Sequence, residues 1–247
     1  MGFGLGTTPL AITDKIDVLT KMKMQKKKMI EKKILKFYNS MISDPQHRYS
    51  SWENCYLHFR KKKKSNSKTV TDLDCLQLGF YLASWGMYRG SSFLLDKSYK
   101  VHKPIIKELL KKKYEILWNM NIAELTAESK KITLLFKLLQ ILNNIYMQQI
   151  NTKKKVTDTL ITKIFLGTLC CSPAYDRYFK EGCKKKKIKP YSNFSEKSLI
   201  KVVEHYSQNK NEFHSASRKI FRLCHISYPP MKLIDMYFWK VGNPKNG

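Results

Sequence analysis

The chain has 247 residues, enough for one large domain or two small ones with a true core. Its 47 Lys+Arg against 19 Asp+Glu give a formal net charge of +28, yet 43% hydrophobic and 12% aromatic content excludes a disordered polyelectrolyte. No apolar run reaches the roughly eighteen residues that a membrane-spanning helix needs. The first residues, MGFGLGTTPLAITDK, lack a basic region leading into an apolar core and a small-residue cleavage site. Export is therefore not expected, and a cytoplasmic protein is. Residues 1–12 read as a flexible leader and 13–247 as a single helical domain.

In chain order the patterns are almost all helical. Residues 13–42 set Ile16, Leu19, Ile30, Ile34, Leu35, Phe37 and Tyr38 among lysines, a basic amphipathic helix stopped by Asp44-Pro45. A short aromatic helix, Trp52–Phe59, runs into Lys61–Lys64. Thr71 or Asp72 then caps LDCLQLGFYLASWGMYRGSSFLL, which is apolar on nearly every face and reads as one central, buried helix. Pro104 opens the next helix, with Ile106, Leu109, Leu110, Leu117 and Trp118 inward. Leu134 to Ile145 and Thr157–Cys171 are two further apolar helices. Ser172-Pro173 opens a short helix, AYDRYFKEG, which Gly182 closes. Ser195 starts a helix to about Asn209, another spans about Glu212–His225, and Pro229-Pro230 leads into the aromatic MKLIDMYFWKVG. The fold expected is all-α, a compact domain of ten or so helices.

Of the basic residues only six are Arg: Arg48, Arg60, Arg89, Arg177, Arg218 and Arg222. Lysines run together at Lys26–Lys28, Lys61–Lys64, Lys111–Lys113, Lys153–Lys155 and Lys184–Lys187. Codon usage in an AT-rich genome explains a lysine-filled surface equally well, but such a field still attracts phosphate backbones. Nucleic acid, DNA or RNA, is the partner expected, with Lys61, Lys62, Lys63, Lys184, Lys185 and Lys186 on its backbone. Few arginines mean few bidentate readers of guanine, so backbone and shape should dominate over base sequence. The cysteines (Cys55, Cys75, Cys170, Cys171, Cys183, Cys224) form no C-x2-C pair, and buried free thiols are expected rather than a metal site. No cofactor is expected.

Two stretches interrupt the division into apolar inside and lysine outside. In WGMYRGSSF, Arg89 ends an apolar segment between Gly86 and Gly90, followed by Ser91 and Ser92. Arg89 with the two serines would hold a phosphate or carboxylate; alternatively Arg89 pairs with an acid and closes its helix. In TLITKIFLGTLCCSPAYDRYF, Lys163 is the lone charge between Asp158 and Asp176. A lysine so placed snorkels, is paired, or is desolvated into an amine nucleophile. Asp176 would sit in a helix's first turn, where the dipole favours a carboxylate, or pair with Lys180 at i+4.

This second stretch resembles helix-hairpin-helix DNA glycosylases, in which a helical Lys precedes an Asp that opens the next helix. The resemblance implies a related architecture, an amine-nucleophile role for Lys163, and for Asp176 the carboxylate that supports departure of a base. A second resemblance lies at RKIFRLCH, where Arg218 and His225 form the R-x6-H motif of HEPN ribonucleases. It implies that Arg218 steadies the scissile phosphate and His225 acts as acid or base. The phrases LGFYLASWGMYRGSSFLL, SPAYDRYFKEG and YPPMKLIDMYFWKVG resemble a family of small bacterial proteins known only as hypothetical, which implies a bacterial protein and no chemistry. A third class of function is a protein-interaction module docking a partner through Tyr237, Phe238 and Trp239. No P-loop, dinucleotide fingerprint or nucleophile elbow occurs.

Overall fold

The computed structural model describes residues 29–44, 46–118, 120–122, 125–126, 129–150 and 156–243. The leader and the runs Lys26–Lys28 and Lys153–Lys155 lie outside the described residues. Those residues form an all-α fold with no strand. The helices are α1 (Met29–Ile42), α2 (Ser51–Lys64), α3 (Asp72–Ser84), α4 (Lys103–Leu109), α5 (Glu115–Trp118), α6 (Lys130–Met147), α7 (Asp158–Gly167), α8 (Arg177–Lys185), α9 (Glu196–Gln208), α10 (Lys210–Cys224) and α11 (Pro230–Gly242). Four 3-10 turns, at Arg48–Ser50, Phe93–Asp96, Tyr99–His102 and Lys112–Tyr114, join them.

The centre of the molecule is α11, whose residues from Met231 to Lys240 are all buried. It packs most extensively against α8, and also against α1 and α10. A Cβ at Gly182 would overlap the Phe238 carbonyl, and one at Gly242 would overlap that of Tyr178, so the two helices cross backbone to backbone. Gly182 therefore lies inside α8 and serves this close approach rather than closing the helix as expected. Tyr237, Phe238 and Trp239 are buried in the chain's own core, Trp239 with an edge on the cleft described below.

Around α11, α2 pairs with α3, both touch α7, and α4 packs on α6. Local rules place several helix starts, although Ser172-Pro173 does not open α8, which begins at Arg177 behind Asp176 as its N-cap. Thr71 closes a capping box with Asp74, Thr157 caps α7, and Ser195 caps α9. The main departure is the segment expected as one buried helix from Leu73 to Leu95. The helix α3 ends at Ser84, because Gly86 at φ +76° lies in the left-handed region and turns the chain. Leu73, Leu76 and Phe80 then point outward, with Phe80 63% exposed, so one face of α3 is apolar yet unburied. The lysines Lys61–Lys64 continue α2 rather than follow it.

Three groups are sealed within this fold. His102 is fully buried, with the Tyr88 hydroxyl 2.7 Å from Nε2 and the Tyr146 hydroxyl 2.7 Å from Nδ1. Burial pushes its pKa down to about 3, so the ring is neutral. Five cysteines are buried and all six are free thiols; burial pushes Cys170 and Cys183 up to about 12, leaving them inert. The third sealed group is an ion pair described below.

Candidate nucleotide-binding cleft

The short linker between α7 and α8 decides the site. Thr159 Oγ1 donates to the Tyr175 carbonyl at 2.9 Å, and the Tyr175 N–H donates to Thr162 Oγ1 at 2.9 Å. The Ala174 N–H donates to Asp235 Oδ1 on α11 at 3.0 Å. Clamped in this way, the linker delivers Asp176 as the N-cap of α8, where its Oδ1 accepts the Phe179 N–H at 3.0 Å. The other oxygen, Oδ2, accepts from Lys163 Nζ at 3.0 Å. Lys163 is thus paired with Asp176 itself, and Asp176 takes Lys163 rather than Lys180.

The pair lines a cleft of about 910 Å³. Its walls are aromatic and come from four separate segments: Tyr49, Trp85, Tyr178 and Trp239. Tyr49 and Trp85 stack with centroids 4.4 Å apart, Trp239 meets both edge-on, and Tyr178 meets Trp239 edge-on at 5.3 Å. Lys163 Nζ stands 4.9 Å from the Trp85 ring centroid, a cation–π contact. Arg48, Arg89 and Arg177 also line the cleft, three of the six arginines in the whole chain. In a sequence that uses Lys almost everywhere else, Arg is concentrated where a planar fork can take a phosphate bidentately.

Arg89 is exposed, and its guanidinium packs on Gly86, where a Cβ would come within 2.8 Å of Nε. No acid among the described residues pairs with it, so the expected alternative of a closing ion pair is not formed. Ser91 and Ser92 follow it along a second, adjoining hollow. Lys163 with Asp176, and Arg89 with Ser91 and Ser92, were singled out in two separate stretches of sequence, and the fold brings them to adjoining hollows. Sequence reasoning passed over Arg48, Arg177 and the four aromatic walls, whose signal was the scarcity of arginine itself.

Behind the cleft lies a second pair. Lys232 Nζ is 3.4 Å from Asp235 Oδ2, with side chains only 3% and 5% exposed. Its ammonium is boxed by Trp52, Trp85 and Phe37 at 4.7, 5.3 and 5.5 Å from their centroids. Burial lowers the Lys232 pKa and raises that of Asp235; the Lys163 charge adds to the fall at Lys232 and the Asp176 charge to the rise at Asp235, while the attraction between Lys232 and Asp235 opposes both shifts. Between the two pairs is a gap lined by Tyr81, Trp85 and Ala174, too narrow for a water molecule.

The six lysines expected on a nucleic-acid backbone do not line the cleft. Lys62 Nζ donates to the Thr69 carbonyl and to Asp74 Oδ2, both at 2.7 Å, and only 8% of its side chain is exposed. Burial alone would raise the Asp74 carboxyl, but hydrogen bonds from Lys62, the Thr71 backbone and His58 hold it below its ordinary value. Lys63 reaches Glu115 at 2.5 Å. Lys185 donates to the Val241 carbonyl at 3.2 Å, and Lys186 lies 5.9 Å from the Tyr237 centroid. Lys61 and Lys184 are exposed. The second lysine group sits at the far end of α8, about 12 Å along the helix from Asp176.

Arg218 lies within α10 and His225 just beyond its end. Helix α10 ends at Cys224, and His225 is its cap at φ +56°, so the two no longer share a helical face. Neither borders the cleft. Among the described residues no group of three His, Cys, Asp or Glu side chains stands close enough to hold a metal ion, and no helix is long and apolar enough to cross a membrane.

The described residues make an all-helical fold in a strongly basic chain, with an aromatic, arginine-lined cleft over the Lys163–Asp176 pair. Compared with known proteins, the chain matches no family model, no curated protein and no solved structure.

Proposed function

We propose that the protein binds nucleic acid, mainly through backbone and shape, and takes one unstacked nucleotide into the cleft over Lys163 and Asp176. The observation that carries this reading is the convergence of Arg48, Arg89 and Arg177 with Tyr49, Trp85 and Trp239 around one hollow of about 910 Å³. Aromatic side chains take up the face of an unpaired base, and each such stack is worth about 1–3 kcal/mol. The arginines match the phosphates, and the +28 charge supplies the long-range attraction. A mobility-shift series over salt, with single- and double-stranded DNA and RNA, tests it. Retention that weakens steeply with salt supports the reading, and the absence of any shift at low salt refutes it.

A second reading rests on the 3.0 Å contact between Lys163 Nζ and Asp176. Together with the resemblance to helix-hairpin-helix glycosylases, it supports amine chemistry on an abasic sugar. Asp176 takes a proton from the Lys163 ammonium, the neutral Nζ adds to the aldehyde carbon C1′, and one of its two protons passes to the former carbonyl oxygen to give a hydroxyl. Asp176 then returns the proton to the hydroxyl that leaves as water, giving a protonated imine. Borohydride should trap this adduct on abasic DNA, and Lys163→Ala should abolish it. Equal trapping by the variant would refute the role of Lys163.

A further inference from the structure

We infer that the cleft continues across Arg89 into a second subsite, so that the site recognises two consecutive nucleotides of one strand rather than a free nucleotide. This rests on the nucleotide-binding reading above. A second hollow of about 630 Å³ adjoins the first, and the two share Gly86, Met87 and Arg89 in their linings. Either volume exceeds what a single base needs, and both fall within the range of ordinary ligand sites. Arg89 stands on the boundary, exposed and without an acid partner, and its guanidinium is held against Gly86. The group that links two adjacent nucleosides is a phosphodiester, the anion for which a guanidinium fork is suited.

The two hollows differ in chemistry. The first carries Asp176 and Glu181 among its cations and aromatic rings. The second contains no acid, no charge other than Arg89, and the hydroxyls of Ser91, Ser92 and Thr157 over the buried ring of Phe93. Ser92 Oγ accepts the Leu94 N–H at 3.3 Å, which leaves its own O–H to donate. Such a surface has donors and an apolar floor but no proton acceptor of catalytic strength. It is suited to holding the sugar, phosphate and base of a neighbouring nucleotide while the first hollow holds the nucleotide over Lys163. Ser91 is exposed on this path, and Gly90 beside it has open space around it.

Titration calorimetry on the full chain, with thymidine 5′-monophosphate and with single-stranded tetrathymidylate as probes, separates the possibilities. The tetranucleotide is expected to bind at least tenfold tighter than the mononucleotide. Ser91→Trp, which fills the second hollow from an exposed position, should remove that advantage. Equal affinities for the two probes in the wild type would overturn the second subsite while leaving the nucleotide cleft standing. So would a Ser91→Trp variant that keeps the tenfold difference. Failure of the wild type to bind either probe would refute the nucleotide cleft itself.

Discussion

Two of the Lys–Asp pairs among the described residues, Lys163–Asp176 and Lys232–Asp235, meet at one narrow gap and differ in their surroundings. Lys232–Asp235 is a buried i,i+3 pair on α11, with the Lys232 ammonium among the rings of Phe37, Trp52 and Trp85. Lys163–Asp176 joins α7 to the cap of α8 and opens to the cleft, with Asp176 15% exposed against 5% for Asp235. A sealed pair cannot meet a ligand; it can only hold the fold, through the Asp235 bond to the Ala174 N–H that fixes the linker. The open pair is held by that same linker and faces the space where a ligand would lie. Identical functional groups thus serve as architecture in one place and as candidate chemistry in the other.

The largest effect is expected at the sealed pair. Asp235→Ala leaves a buried ammonium without its partner and should cost about 4 kcal/mol in urea denaturation. A loss under about 1 kcal/mol would mean that the pair is not sealed.

Acid tests a sealed group in another way. His102 titrates at about 3 in the folded protein, below the roughly 6.5 of an unfolded chain. The unfolded state therefore takes up the proton first, and stability present above about pH 6.5 falls as the pH drops toward 3. Between pH 7 and 4 this single group should remove about 3 kcal/mol. His102→Gln should flatten that part of the pH profile.

The open pair should matter less for stability. Asp176→Asn retains an oxygen for the Phe179 N–H and loses only the charge opposite Lys163, a cost of about 2 kcal/mol. If Asp176→Asn proves as damaging as Asp235→Ala, the contrast between open and sealed fails. The smallest effect is expected on the apolar outer face of α3, where Leu76→Gln should change stability by less than about 0.5 kcal/mol.

Much of the helical layout was legible because it is local. Caps at Thr71, Thr157 and Ser195 and the apolar periodicities mark helix starts without reference to tertiary structure. Lys163 and Asp176 were legible as lone charges in an apolar pattern. Lys232 and Asp235 were not, because an i,i+3 pair reads as an ordinary exposed pair until a helix is known to be buried on all sides. The outward turn of Leu73, Leu76 and Phe80 was hidden for the opposite reason: an all-apolar segment does not reveal which face lacks a neighbour. The cleft walls come from four separate segments, so no window of sequence contains them. The arginines were the missed clue, since Arg48 and Arg177 counted only as sparse members of a lysine-rich surface.

Nucleic acid is proposed to enter the arginine-lined cleft rather than to lie on the diffuse lysine surface. The most direct test is a comparison of salt-dependent mobility shifts for the wild type, the triple variant Arg48→Ala/Arg89→Ala/Arg177→Ala, and the triple variant Lys184→Ala/Lys185→Ala/Lys186→Ala. The arginine variant should lose at least tenfold in affinity for single-stranded oligonucleotide at every salt concentration, and the lysine variant less than threefold. Unchanged binding in the arginine variant, or an equal loss in both, would contradict the account.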